Sequence, residues 1–385
     1  MEVKRKAMGE KREISVREHI IEIVSDSGEG AQKAAQAFAT ACAKKGYGLW
    51  TIELIPSEIQ PPPHTVASAS GNRIRISESI VTNAGNRSHL CFAFNEQALL
   101  SRIKADTLRP DVIVLIDSIW AKNSDDKIRN DYREILDSVK EKGGTVIEVP
   151  VEEESSKIVE DPRKGKNMYV LGVLGSIYSI DMEVLEEIVK SIFSKKSASI
   201  IDANIKLLQA GYNYGRDNIG FCFKIESKLP DAPMVAMNGN TALALGAIGA
   251  GFKLCSMYPI TPATSVSHTL SDIFHRFGGI VHQAEDEIAA IGVAVGSNYA
   301  GVPALTVTSG PGLALKTEFQ GLAVMTETPL VIVDVQRGGP STGLPTKIEQ
   351  SDLLAAIFAA PGDAPKVVIA PSTVEECFHV LVTAR

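Results

Sequence analysis

Short apolar runs at residues 279–282, 304–308 and 330–334 alternate with segments of helical periodicity, and an earlier run leads into the turn YPITPAT (258–264). Strands that alternate with helices in this way pack as a largely parallel sheet covered by helices. The turns along this stretch have unusual compositions. QAEDEIAA (283–290) follows the second run, TSGPG (308–312) closes the third, and QRGGPSTGLPT (336–346) follows the fourth. A domain starting near Val235 would open with an Ala- and Gly-rich helix at 239–251. It would close with a strand at 367–370 and a helix starting near Ser372, where Ser372 and Glu375 have the spacing of a capping box. Apolar periodicity still runs at Val380 and Leu381, which predicts a polypeptide continuing past Arg385.

The first half alternates in the same manner. Strands are expected at residues 20–24, 49–55, 89–93, 112–116 and 145–150, with a helix at 131–142 before the last, again as an α/β domain with a largely parallel sheet. Pro61, Pro62 and Pro63 mark a rigid loop, and the charged stretch 152–167 reads as an exposed excursion. An apolar segment broken by glycine (168–180) is expected to be buried, and helices follow at 181–196 and 198–211. Gly215, Gly220, Pro230 and Pro233 give 212–235 the composition of a linker. The expected organisation is a first domain at 1–215, a linker at 216–234 and a second domain at 235–385.

With 385 residues, 44% hydrophobic and 22% charged, the chain has ample material for the cores of about two or three domains. A net charge of −7 with no broad basic face argues against nucleic acid as a partner. The lysine-rich opening (Lys4, Arg5, Lys6, Lys11, Arg12) reads as a frayed, solvated terminus. The apolar segment 20–24 is too short for a leader, and no run is long enough for a membrane helix, so a cytoplasmic protein is expected. Cys42, Cys91, Cys222, Cys255 and Cys377 are widely spaced. That suits reduced, buried thiols and disfavours an iron–sulfur cluster held by this chain alone.

Two segments invite a chemical reading. Ser27-Gly28-Glu29-Gly30-Ala31-Gln32 lies between a strand and a helix, where free N–H groups can cradle phosphate. It lacks the third glycine of a dinucleotide fingerprint and the lysine of a P-loop, and Glu29 would repel phosphate. A tight structural turn is the preferred reading, with nucleotide or coenzyme A contact as the alternative. In the second segment, Glu285, Asp286 and Glu287 precede a helix of Ile, Ala, Gly and Val with no further charge. Gly292, Gly296 and Ala300 recur every four residues, a smooth stripe on which another helix can pack closely. Taken alone, the three acids are ordinary N-terminal helix residues favoured by the macrodipole.

The order YPITPAT, EDEIAA, TSGPG, QRGGPSTGLPT closely resembles the α subunit of 2-oxoacid:ferredoxin oxidoreductases. Within that family it looks most like the 2-oxoglutarate branch (2-oxoglutarate synthase), in which a γ-type domain is fused ahead of the α domain. The resemblance covers almost the whole chain and is most specific in the second half. It implies a γ-type α/β domain with a largely parallel sheet, followed by an α/β domain that binds the pyrimidine ring of thiamine diphosphate, with a later α domain missing. Thiamine diphosphate needs a carboxyl group in an apolar setting beside its aminopyrimidine.

The resemblance places that activating carboxyl on Glu287, counted back from Gly292, Gly296 and Gly301, with Glu285 as the alternative register. It implies that Thr261, Arg337 and Thr346 hold the substrate's carboxylate and keto group, a guanidinium fork suiting a carboxylate where lysine would not. Tyr258, Pro259, Ile260, Ser309, Gly310 and Gly312 would lie against the cofactor ring. The metal-diphosphate motif, with its Mg2+ and [4Fe-4S] cluster, would belong to a β subunit. The implied partners are that β subunit, ferredoxin, a 2-oxoacid and coenzyme A, in a hetero-oligomer of paired α–β units. The implied reaction is oxidative decarboxylation of 2-oxoglutarate to an acyl-coenzyme A. The rival readings are a homologue acting on pyruvate, a branched-chain 2-oxoacid or indolepyruvate, and a non-catalytic interaction paralogue.

Overall fold

The computed structural model describes residues 11–56, 61–161, 165–226 and 234–385. It divides into two compact units, Met1–Met234 and Val235–Arg385. Lys4, Arg5 and Lys6 of the basic opening, and Pro230 and Pro233 of the expected linker, lie outside the described residues.

The first unit contains β1 (Arg12–Ser15), β2 (Glu18–Asp26), β3 (Gly48–Leu54), β4 (Ala69–Ser77), β5 (Ser88–Ala93), β6 (Leu108–Asp117), β7 (Thr145–Val149) and β8 (Phe221–Lys224). Six of them form one sheet in the order β3-β4-β2-β5-β6-β7. The ladders from β2 through β7 are parallel, while β4 runs antiparallel to both β2 and β3. The sheet is covered on both faces, and β5 shows how. Leu90 and Phe92 enter one hydrophobic cluster, with Ile21, Ile23 and Phe38, whereas Cys91 and Ala93 enter the other, with Val114 and Ile116. Alternate side chains point to opposite faces of a strand, so a strand buried on both sides reads as continuously apolar. Glu22 interrupts that pattern on β2. It is fully buried, and Arg73 and Arg102 donate to its two oxygens at 2.7 and 3.0 Å.

The expected buried segment becomes the helix Lys166–Ile177, buried along its whole length, and it crosses the helix Ala198–Asn218 at glycines. A Cβ on Gly172 would lie 2.1 Å from the Leu208 carbonyl oxygen, and one on Gly211 would lie 1.9 Å from that of Tyr169. Backbones in direct contact leave no room for a side chain, which is the reason for glycine at both positions.

Three expectations need correction here. The linker expected at 216–234 begins inside the helix Ala198–Asn218, and β8 within it pairs in parallel with β1. Phe223 joins the core, so glycine and proline content there marks the ends of elements rather than a free connection. Lys11 and Arg12 are not frayed: Lys11 donates to Ser176 Oγ at 2.8 Å, and Arg12 starts β1. The charged stretch 152–167 is not an exposed excursion either. It includes the short helix Val151–Ser155, and Lys166 is fully buried against Glu152 at 2.5 Å and Asp117 at 3.5 Å (162–164 lie outside the described residues). Charges enter an interior when paired, and these are.

The glycine turn after β2 is closed by its own polar groups. Glu29 accepts from the Asp26 N–H at 3.2 Å, and Gly30, at φ +90, caps the helix Ala31–Lys44. A Cβ on Gly30 would lie 2.9 Å from Asn167 Nδ2, so the turn is packed against the helix Lys166–Ile177.

The second unit has β9 (Leu254–Met257), β10 (Ile280–Gln283), β11 (Ala304–Thr308) and β12 (Val331–Asp334) in one parallel sheet, ordered β10-β9-β11-β12. Helices Thr264–Ile273, Glu287–Tyr299 and Thr317–Met325 make the crossovers. The helix Gly239–Gly249 packs on the final helix Val374–Ala384, where Gly246 lies against the Phe378 carbonyl. Two expectations differ at this end. Residues 367–370 form no strand, and Val367 is exposed. The last helix is capped one residue later than expected, by Thr373, whose Oγ1 accepts from the Glu376 N–H at 3.0 Å. Glu376 in turn accepts from Ser372. Among the described residues no helix is long and apolar enough to cross a membrane.

Candidate active site

All four motif segments lie at the C-terminal ends of the parallel strands of the second unit. YPITPAT follows β9, EDEIAA follows β10, TSGPG follows β11 and QRGGPSTGLPT follows β12. The strand order places β10 on one side of β9 and β12 beyond β11, so the connections after β9 and β11 leave in opposite directions. In open parallel sheets this reversal opens the crevice in which ligands bind.

The three acids after β10 have different surroundings. Glu285 is exposed, and Asp286 is the helix cap, accepting from the Ala289 N–H at 2.7 Å. Glu287, the first residue of the helix Glu287–Tyr299, is buried. It packs against Gly312 of TSGPG, where a Cβ would lie 2.8 Å from Glu287 Cγ and 2.1 Å from Thr308 Oγ1. The small-residue stripe on the helix is used, since Gly292 faces the ring of Phe319. Ser309 is fully buried at the start of TSGPG, and its Oγ has no partner.

Arg337 joins two of the motifs. Its Nη1 donates to the Thr261 carbonyl oxygen at 2.9 Å and its Nη2 to that of Thr342 at 2.5 Å. The side chain is buried, yet its Nε has no partner. The loop that carries it folds back through Leu344 N–H to Gly338 oxygen at 2.8 Å and Gly338 N–H to Lys347 oxygen at 2.9 Å. Thr346 is half-buried within that fold-back. Tyr258 and Pro259 are exposed, whereas Ile260 packs on the apolar cluster beneath β9.

The family models match both units. One, described as pyruvate ferredoxin/flavodoxin oxidoreductase, covers residues 21–214. A second, the thiamine diphosphate-binding part of pyruvate flavodoxin/ferredoxin oxidoreductase, covers 245–385. The chain belongs to the pyruvate ferredoxin/flavodoxin oxidoreductase family. Within it, the 2-oxoglutarate oxidoreductase subunit KorA of Mycobacterium tuberculosis is 37% identical over 95% of this chain and 58% of its own length. The 2-oxoglutarate synthase subunit KorA of Methanothermobacter marburgensis is 48% identical over 38% of this chain and 40% of its own. The solved 2-oxoglutarate:ferredoxin oxidoreductase of Magnetococcus marinus, with 2-oxoglutarate, coenzyme A and succinyl-CoA bound, superposes with a TM-score of 0.82. It is 32% identical over 96% of this chain and 61% of that one. The chain thus spans about three-fifths of the length of the relatives it matches end to end.

Four residues of this family member's site went unnoticed in the sequence. Asn240 donates to the Pro262 carbonyl oxygen at 3.1 Å and to Ser265 Oγ at 2.6 Å, tying the first helix to the YPITP turn. Lys316 is fully buried, and its Nζ donates to the Glu287 carbonyl oxygen at 2.6 Å. Burial lowers its ammonium to about 8, against the pull of Glu287 and Asp286. Asp334 and Asp352, both largely buried, are within hydrogen-bonding reach of one another. Burial first, then Asp352, pushes the Asp334 carboxyl up to about 7. The asparagine of the first helix and the acid at a strand end are visible in the sequence, but only the fold brings each to its partner, Asn240 to Ser265 across 25 positions.

Proposed function

We propose that this chain is the γ–α portion of a 2-oxoglutarate:ferredoxin oxidoreductase, which converts a 2-oxoacid and coenzyme A to acyl-coenzyme A with electrons passed to ferredoxin. The observation that carries this reading is the division of labour at the strand ends. One carboxylate of three is buried, against a glycine, and one buried arginine keeps a donor unpaired. The names of the relatives favour 2-oxoglutarate over pyruvate.

The residues present fit thiamine diphosphate. A buried carboxyl at Glu287, seated directly on the backbone of Gly312, and the unpartnered Ser309 Oγ supply an acid and a polar contact. When bound, that cofactor supplies the carbon nucleophile for the keto group. Glu287 would exchange a proton with the aminopyrimidine from its buried position. Tyr258, Pro259 and Ile260, at the end of β9, would border the ring. Arg337 turns its unpaired Nε to the substrate carboxylate, with the Thr261 and Thr346 hydroxyls beside it. Mg2+ and a [4Fe-4S] cluster belong to a β partner in this reading. Exposed Tyr299, Met325, Ile348 and Phe358 supply the kind of apolar surface that a partner subunit covers. The five cysteines are free thiols, which suits the cytoplasm.

The test is 2-oxoacid-dependent reduction of a low-potential dye under anoxic conditions, using the full-length chain co-expressed with its β partner and supplied with coenzyme A and thiamine diphosphate. Turnover of 2-oxoglutarate with little of pyruvate is the expected result. Turnover of another 2-oxoacid would correct the substrate, and none from a complex that binds thiamine diphosphate would overturn the activity.

A further inference from the structure

We propose that Asp334 and Asp352 share one proton and act as a positioning pair, holding the Arg337 loop against the TSGPG turn in the arrangement that receives an anionic 2-oxoacid. The role toward the oxoacid rests on the function proposed above, whereas the shared proton does not.

Each carboxyl has a buried oxygen with no donor, Oδ1 of Asp334 and Oδ2 of Asp352, and the two side chains are in hydrogen-bonding reach. Two carboxylates cannot donate to each other, and two like charges in contact away from water repel strongly. A single proton between them satisfies both groups, as in other carboxyl pairs that titrate as a unit.

The pair is wired to both loops. Asp334 ends β12 and pairs with Thr308 in the ladder, next to the start of TSGPG. Asp352 Oδ1 lies over Gly310, where a Cβ would sit 2.4 Å away, so TSGPG can approach only because residue 310 is glycine. On the other side, the Asp352 N–H donates to Gln336 Oε1 at 3.2 Å. Ser351 Oγ lies 2.6 Å from the Arg337 carbonyl oxygen and 3.0 Å from Asp352 Oδ1. The Arg337 backbone is therefore held from the pair's side and its guanidinium from the Thr261 side.

Among the described residues, those seen in contact with Asp352 besides Asp334 are uncharged: Gly310, Gln336 and Ser351. The guanidinium of Arg337 is directed to the Thr261 and Thr342 carbonyls and does not neutralise the pair. With no cation among these contacts to hold two negative charges, the shared proton leaves to solvent near neutrality, in line with the raised Asp334 carboxyl. The repulsion that follows loosens the Arg337 loop, and oxoacid binding weakens as pH rises.

The experiment compares the wild-type αβ complex with Asp334→Asn and Asp352→Asn. An amide donates permanently where the shared proton sat. In the wild type, KM for 2-oxoglutarate is expected to rise about fivefold from roughly pH 6 to 8.5, the worth of one hydrogen bond. In either variant it should change by less than about twofold, and kcat should move less than KM. Variants that keep the full wild-type rise would overturn the positioning role. Unfolding of the same proteins is the second readout. A carboxyl raised in the folded state contributes stability below its free value that is lost as pH climbs to about 7. The wild type should therefore lose stability between about pH 4 and 7 relative to both variants, and parallel curves would overturn the shared proton itself. If no oxoacid is turned over by the wild type, the proposed function fails, and the unfolding comparison still decides whether the proton is shared.

Discussion

Lys316 Nζ donates to the backbone carbonyl oxygen of Glu287 at 2.6 Å, with both residues buried. The bond fastens the first turn of the helix Glu287–Tyr299 to the junction between Gly310–Leu315 and Thr317–Met325. Burial lowers the lysine to about 8, so the folded state releases this proton before the unfolded chain does. The unfolded state binds more protons between about pH 8 and 10, and stability gains with pH across that window. In Lys316→Met the gain should disappear. Denaturation midpoints of both proteins across this range provide the check, and curves of equal slope would count against a lowered Lys316 ammonium in the folded state.

Glu287 and Glu285 are two residues apart but differ in environment, one buried and one exposed. In the assembled complex, Glu287→Gln should lower kcat by about 10² or more, the usual scale for losing an acid–base group, with subunit assembly unchanged. Glu285→Gln should stay within about twofold of wild type, as expected of a solvated acid. Steady-state dye reduction and gel filtration of both variants separate the two registers, and the reverse pattern would move the role to Glu285.

How much of this arrangement could be read in advance depends on the range of the interaction. Most strands and helices of the second unit follow from local alternation: β11, for example, is a short run of Ala, Leu, Val and Thr, buried throughout, and its turn carries glycine and proline. β4 was missed because Arg73 and Arg75 break its apolar pattern, and Arg73 is accommodated through Glu22 on the neighbouring strand and the carbonyls of Gly85 and Asn86. β8 was missed because a four-residue strand among glycines has no pattern of its own until β1 lies beside it. The motif order pointed to Glu287 and Arg337, but not to Lys316, Asp334 or Asp352. A lysine in a helical stretch and an aspartate at a strand end are unremarkable alone, and their partners lie 29 and 18 positions away.

Arg337 links the β12 loop to the β9 turn through two carbonyls, those of Thr261 and Thr342. A lysine carries the charge but has no planar fork to bridge both acceptors and still present a donor to a carboxylate. Arg337→Lys should raise KM for the oxoacid by about tenfold or more and cost roughly 1 to 2 kcal/mol in stability from the lost bridge. Kinetics paired with thermal unfolding tests this. A stability loss with unchanged KM would confine Arg337 to holding the loop.

In the first unit, Gly211 is the point where Ala198–Asn218 lies directly on Lys166–Ile177. A methyl group there would sit 1.9 Å from the Tyr169 carbonyl oxygen, and neither backbone can yield without separating two helices that are packed into the same core. Gly211→Ala removes helical entropy cost that glycine carries, a gain of at most about 1 kcal/mol. Overpacking a backbone contact opposes it by about 3 kcal/mol, so the clash wins. Gly220→Ala is the matched control, since nothing lies within 4 Å of its Cβ position and its φ is not in the left-handed region. Urea denaturation followed by circular dichroism should show a clear drop in midpoint for Gly211→Ala and none for Gly220→Ala. Equal midpoints would mean that the two helices can part at little cost, contrary to the close crossing at Gly172 and Gly211.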